Sequence, residues 1–227
     1  VVEGDAALEL ISSLYDDGVD HAVALMRHSA REFEPGRHDL LNPLTDEGRA
    51  LARRLGNALP KDVLARAYAS PAQRCVETAE LILEGHKAHG GRVARQRPVE
   101  ALGVFYVLDQ MKMYRAMTAA TGQAPFLERW FAGAVEGDVM MPADVAAKLV
   151  ARVVAAKLDA PIARPQIEIC VTHDMTLYLL RDRLLGRPVA ESGVVNFLDT
   201  VVFYHRDGQL VMCAPDAGPR VIDIGIA

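Results

Sequence analysis

Three short apolar, strand-like runs, Ala22 to Met26, Ala65 to Ala69 and Ile167 to Thr172, each end abruptly in polar residues. This recurrence constrains the fold more than any other feature of the sequence. The first run is followed by Arg27 and His28, the second by Ser70, Pro71 and then Arg74, and the third by His173 and Asp174. In an open α/β sheet the ligand crevice lies beyond the carboxyl ends of the strands, so three such exits can converge on one site. The expected fold is a three-layer α/β/α sandwich with a mostly parallel central sheet, flanking helices and a small helical insert.

The segments between the runs read as helices. Thr45 is a plausible N-cap, with Asp46 and Glu47 in the first turn and Leu51, Leu55 and Leu59 repeating at i, i+4, i+8. Ser70, Pro71, Ala72 and Gln73 have a capping-box pattern, with Ser70 as N-cap, which puts Arg74 in the first helical turn. Cys75, Thr78, Ala79 and Ile82 supply that helix's inward stripe. From about residue 105 to 158 the chain turns rich in methionine and alanine, with Met111, Met113, Tyr114, Met117, Trp130, Met140 and Met141, and ends in a helix expected from Pro142 to Leu158. This is read as a helical insert, placed to cover the site, whose methionines and aromatics are core rather than a cofactor box. Val194 to His205, Asp207-Gly208 and Gln209 to Cys213 read as a β-hairpin with a D-G turn. One domain over residues 1–227, insert included, is the expected organisation.

Composition narrows the classes of function. With 51% hydrophobic and 24% charged residues the chain has the make-up of a globular protein. A net charge of −5 argues against a broad nucleic-acid surface, so an anion site must be a local pocket. No segment holds the roughly 18 uninterrupted apolar residues of a membrane span, and no membrane partner is expected. Cys75, Cys170 and Cys213 lie far apart without C-x-x-C spacing and read as buried reduced thiols. With no recognisable signal peptide, cytoplasmic is the default location, although a start on Val1 leaves room for a leader or an upstream domain.

The sharpest motif is Leu25 to Arg31, L-M-R-H-S-A-R, in which two arginines flank a histidine just beyond a strand. Its bland reading is a polar loop. The planar guanidinium fork matches phosphate oxygens, and neighbouring positive charge disfavours protonation of His28, leaving a neutral, nucleophilic imidazole. Ser70 to Ala79 adds Arg74 near a helix N-terminus, where backbone N–H groups already favour an anion. Val171 to Thr176, V-T-H-D-M-T, adds a second histidine and a carboxylate. Alone, each of these reads as readily as a capped helix or a structural His–Asp pair. Their shared position at strand ends is what makes them informative.

In order and context these motifs resemble those of the histidine phosphatase superfamily, whose members include the cofactor-dependent phosphoglycerate mutases and the histidine acid phosphatases. The resemblance runs from about Val23 to Leu185 and includes Leu44-Thr45-Asp46-Glu47-Gly48, similar to the L-T-x-x-G segment of that superfamily. It implies that His28 is the phosphorylated nucleophile and that Arg27, Arg74 and His173 complete a phosphate pocket. Arg31 resembles the further arginine of the R-H-G-x-R form in the acid phosphatase branch, as His173-Asp174 resembles that branch's H-D pair. The proton donor is then Asp174, with Glu100, or less favourably Asp109, as the alternative suggested by the mutase branch. Ser29 departs from the usual glycine after the histidine, adding a side chain where backbone and phosphate come close.

The expected activity is metal-independent hydrolysis of a small phosphomonoester through phosphohistidine, without a cofactor, because arginines supply the positive charge. The alternatives are a phosphomutase using the same chemistry and a non-catalytic phospho-ligand sensor or scaffold. A metal hydrolase built on His28, His173 and Asp174 is disfavoured by repulsion from three arginines. A serine hydrolase lacks its G-x-S-x-G elbow. His21, His38, His86, His89 and His205 belong to no motif and read as structural or solvated, with His38, beside Arg37, the one that could line an entrance.

Overall fold

A computed structural model describes residues 2–34 and 41–225. The three apolar runs form β1 (His21–Arg27), β2 (Leu64–Ala69) and β4 (Gln166–Thr172). β4 lies between the other two and runs parallel to both, with Arg27 opposite Thr172 and Ala69 opposite Val171. All three carboxyl ends therefore stop at nearly the same level. β3 (Arg92–Pro98) extends the parallel set beyond β2. Beyond β1 come three antiparallel strands, β5 (Thr200–Arg206), β6 (Gln209–Ala214) and β7 (Ala217–Val221), giving the order β3-β2-β4-β1-β5-β6-β7.

The two-residue period of a strand divides the core. Val23 and Leu25 of β1 join one apolar cluster, whereas Ala22, Ala24 and Met26 join the other. The second cluster is covered by α1 (Asp5–Asp16), α2 (Asp46–Ala58) and α3 (Gln73–Ala88), and the first by α5 (Gln123–Phe131), α6 (Ala143–Ala155) and α7 (Asp174–Arg183). This is the expected α/β/α layering. No helix among the described residues is long and apolar enough to cross a membrane.

α2 starts as anticipated, with the Thr45 hydroxyl accepting from the Gly48 N–H at 2.9 Å. It then crosses α3 at backbone contact distance. A Cβ on Gly56 would lie 2.0 Å from the Ile82 carbonyl oxygen, and one on Gly85 would lie 2.1 Å from that of Arg53. At the hairpin, Asp207 and Gly208 both have positive φ, 53° and 75°, as a D-G turn requires.

Four expectations need correction. Ser70 is not the N-cap of α3, which begins at Gln73 behind Ala72 with no side-chain cap. β5 begins at Thr200 rather than Val194, because residues 194–199 form a loop that serves the site. The helix expected from Pro142 to Leu158 spans Ala143–Ala155. The methionine-rich stretch is only partly core: Trp130 and Met140 are buried, but α4 (Gln110–Ala119) has no buried residue and leaves Met111 and Tyr114 exposed. Of the histidines outside the motifs, His21 and His86 are buried and hydrogen-bonded to Glu168 and to the Val63 carbonyl, while His89 and His205 are exposed. Arg37 and His38 lie outside the described residues. The three cysteines are free and buried.

Candidate active site

His28 leaves the end of β1 with its backbone N–H bonded to the Thr172 carbonyl of β4. The residue is 2% exposed. Nδ1 lies 2.8 Å from the Ser29 carbonyl oxygen, which can only accept, so Nδ1 carries the hydrogen. Nε2 is left with a lone pair and accepts from Arg74 Nε at 3.0 Å. Burial holds the imidazole well below its usual pKa of 6.5; the Arg74 guanidinium adds to this, as do His173 and Arg27 more weakly, against the opposing Ser29 hydrogen bond. The neutral imidazole read from charge alone is thus owed first to desolvation.

Arg74, in the first turn of α3, is buried and links the two histidines, its second amine lying 3.4 Å from His173 Nδ1. A guanidinium only donates, so Nδ1 of His173 accepts in that contact and Nε2 carries the hydrogen, 3.0 Å from the Ser70 hydroxyl. The same hydroxyl also lies 3.5 Å from the Ala72 N–H, ahead of the helix that starts at Gln73. A third tie fixes the helix: the Thr78 hydroxyl donates to the Arg74 carbonyl and accepts from the Ser29 N–H. Cys75 Sγ is 3.8 Å from His173 Nε2, but burial pushes its thiol up to about 12, so no thiolate competes as nucleophile.

Arg27 reaches towards residues 195–197 and Asp174. Its Nη1 donates to the Val195 carbonyl at 2.6 Å, its Nη2 lies 3.4 Å from Asp174 Oδ2, and its guanidinium sits 4.1 Å from the centre of the Phe197 ring. Phe197 also approaches the His28 ring, at 5.8 Å between centroids. The neighbouring Leu198 is fully buried with φ of 62°, a left-handed conformation that costs a bulky residue free energy. Sequence reasoning missed Phe197 because the apolar stretch around it reads as strand. Asp174 opens α7, and its Oδ1 accepts from the Met175 N–H at 2.7 Å.

Ser29 does not intrude on the site. Its hydroxyl donates to the Gly48 carbonyl at 2.7 Å, away from the imidazole, and the residue is fully buried. Gly48 is needed because a Cβ there would lie 2.0 Å from the Ala30 carbonyl oxygen. The L-T-x-x-G segment therefore clamps the loop that carries His28. Arg31, on the same loop, donates to the Glu32 carbonyl and lies over Phe33; Arg74 contacts both His28 and His173, and Arg27 contacts Asp174.

Beside His173 opens a cleft of about 990 Å³, lined by Ser70, His173 and Glu100 among others. Glu100 belongs to a short 3₁₀ turn after β3, and Asp109 instead caps α4 by accepting from the Lys112 N–H. Among the described residues, no three His, Cys, Asp or Glu side chains are grouped to hold a metal ion.

The model of the histidine phosphatase superfamily (branch 1) matches residues 23–208. A comparison with curated proteins gives no match. Among solved structures, a phosphoglycerate mutase from Bacillus anthracis is 17% identical with a TM-score of 0.55, the alignment covering 88% of this chain and 94% of that one. A mycobacterial glucosyl-3-phosphoglycerate phosphatase in complex with VO3 is 18% identical at a TM-score of 0.53, covering 88% and 96%. A phosphoserine phosphatase mutant from Entamoeba histolytica, in complex with phosphoserine, is 16% identical at 0.51, covering 85% and 94%. These likenesses concern the fold.

Proposed function

Since the chain belongs to branch 1 of the histidine phosphatase superfamily, we propose that it hydrolyses phosphomonoesters by two in-line transfers through a phosphohistidine on His28. The observation that carries this reading is the orientation of His28: a neutral ring, its hydrogen fixed on Nδ1 by the Ser29 carbonyl, offers the Nε2 lone pair towards Arg74. In the first step Nε2 forms a bond to phosphorus while the bond to the alcohol oxygen breaks and that oxygen takes a proton from a carboxylic acid. In the second, the resulting carboxylate takes a proton from water as the water oxygen attacks phosphorus, releasing inorganic phosphate and neutral His28. Arg27 and Arg74 neutralise the equatorial oxygens, Arg74 exchanges its histidine contacts for phosphate, and His173 donates to the phosphate once its Nδ1, released by Arg74, takes up a proton. Arg31 adds positive charge from the loop that follows His28.

Between the two candidate acids the geometry favours Glu100. Both oxygens of Asp174 are engaged, by Arg27 and by the Met175 N–H, which suits a positioning residue for Arg27. Glu100 lies in the wall of the cleft that a leaving alcohol would occupy.

Rapid quenching under alkaline conditions followed by mass spectrometry is expected to find one phosphoryl group on the His28 peptide, and His28→Ala should lower kcat by at least about 10³-fold. Full turnover by His28→Ala would refute the scheme. Glu100→Gln should slow hydrolysis of alkyl phosphates by about 10²- to 10⁴-fold and of p-nitrophenyl phosphate far less, since nitrophenolate leaves without a proton. Asp174→Asn should slow both alike. A mutase would move phosphate between hydroxyls without releasing it, and a scaffold would do neither.

A further inference from the structure

The cleft leading away from His173 is large for a phosphate ester. Its volume of about 990 Å³ stands at the upper end of the roughly 300–1,000 Å³ usual for small-molecule sites. Val104, Phe105 and Val107 line the cleft, as do Leu149 and Val153 of α6. Phe105 packs edge-on against the buried Tyr106 at 5.6 Å, and Tyr106 stacks on Trp130 at 5.2 Å, so this part of the lining is anchored in the core. Among the described residues, the charged side chains lining the cleft are Glu100 and Arg152, of opposite sign. A substrate carrying a second phosphate or carboxylate would need a clamp of several cations, and one arginine offset by one glutamate does not make such a clamp. A small polar alcohol would leave the apolar walls in contact with water.

Resting on the hydrolase reading above, the geometry points to phosphomonoesters of large, predominantly apolar alcohols as the substrate class, the apolar group lying between residues 104–107 and α6. Of the proposed phosphate ligands His173 lines the cleft, so the phosphate lies on that side of it, and discrimination comes from burial of the alcohol. Leu149 and Val153 are then specificity-determining residues.

The n-alkyl phosphates from ethyl to octyl test this directly, because their leaving alcohols are nearly equal in basicity and differ in apolar area. Calorimetric titration into the His28→Ala variant, where no turnover intervenes, should show affinity rising by about three- to fourfold per methylene until the cleft is filled. Equal affinity across the series overturns the proposal. So does tighter binding of a chain of the same length that ends in a carboxylate, which would mean that Arg152 selects an anion. Adding Leu149→Gln should flatten the slope; a variant that melts like its parent yet keeps the full slope also overturns it, and Val153→Gln serves if Leu149→Gln does not fold. Turnover by the wild type is measured in parallel, with p-nitrophenyl phosphate included. Absence of all His28-dependent turnover refutes the hydrolase reading, while the calorimetric slope still decides the chemistry of the cleft.

Discussion

The protonation state of His28 couples chemistry to stability. In the folded protein burial and Arg74 keep the ring neutral well below pH 6.5, while in the unfolded chain it takes up a proton near that value. As pH falls below 6.5 the unfolded state therefore binds more protons, and its share of the folding stability, fully present above 6.5, is lost at up to about 1.4 kcal/mol per pH unit. Urea melts between pH 7.5 and 5 should show a steeper loss for wild type than for His28→Ala; equal slopes would contradict the buried neutral ring. Ser70 offers a second test. If its hydroxyl served as an N-cap, Ser70→Ala would cost about 1 kcal/mol of stability. As an acceptor for His173 Nε2 it should instead lower kcat about tenfold or more with KM little changed, and the Ser70→Thr variant should recover part of the loss. Ser70 was misread from sequence because a capping box is a local pattern, whereas the group that claims this hydroxyl lies 103 residues away.

At the level of elements, the position of His28 depends on how closely α2 approaches its neighbours. The Thr45 cap and the leucine repeat of α2 were legible because capping and amphipathic spacing are local properties. The close crossing of α2 over α3 was not, since the requirement for Gly56 and Gly85 comes from backbone on the other helix. Gly85→Ala should destabilise the protein by at least about 2 kcal/mol, because the obstacle is the rigid Arg53 carbonyl rather than a movable side chain. Gly137→Ala, where an added Cβ meets nothing within 4 Å, should stay within about 0.5 kcal/mol. Thermal melts of the two variants make the comparison. Residues 194–199 show the converse limit: an apolar stretch was read as strand, yet Arg27 takes the carbonyl of Val195 and the ring of Phe197, holding the backbone in a loop up to Thr200.

Across the whole molecule, the proposed phosphate site draws on residues around 28, 74 and 173, which meet only when β4 has entered between β1 and β2. An anion bound there stabilises the folded state alone, so orthovanadate at about 100 times its Kd should add about 2.7 kcal/mol, read as a rise in Tm that is lost in Arg74→Ala. Because polypeptide cations supply the charge, activity should survive EDTA; loss restored by a divalent metal would argue against the scheme. The strand ends, the arginines and histidines they carry, and the layered α/β architecture were all determined by the sequence itself, since burial period, caps and turn chemistry act over a few residues. Tertiary structure alone decided which nitrogen of His28 is unprotonated, that Ser29 turns its hydroxyl into α2, that Ser70 serves His173, that Phe197 backs Arg27, and that an apolar cleft opens beside His173. Each of these rests on a contact between segments far apart in the chain, and no local pattern encodes such a contact.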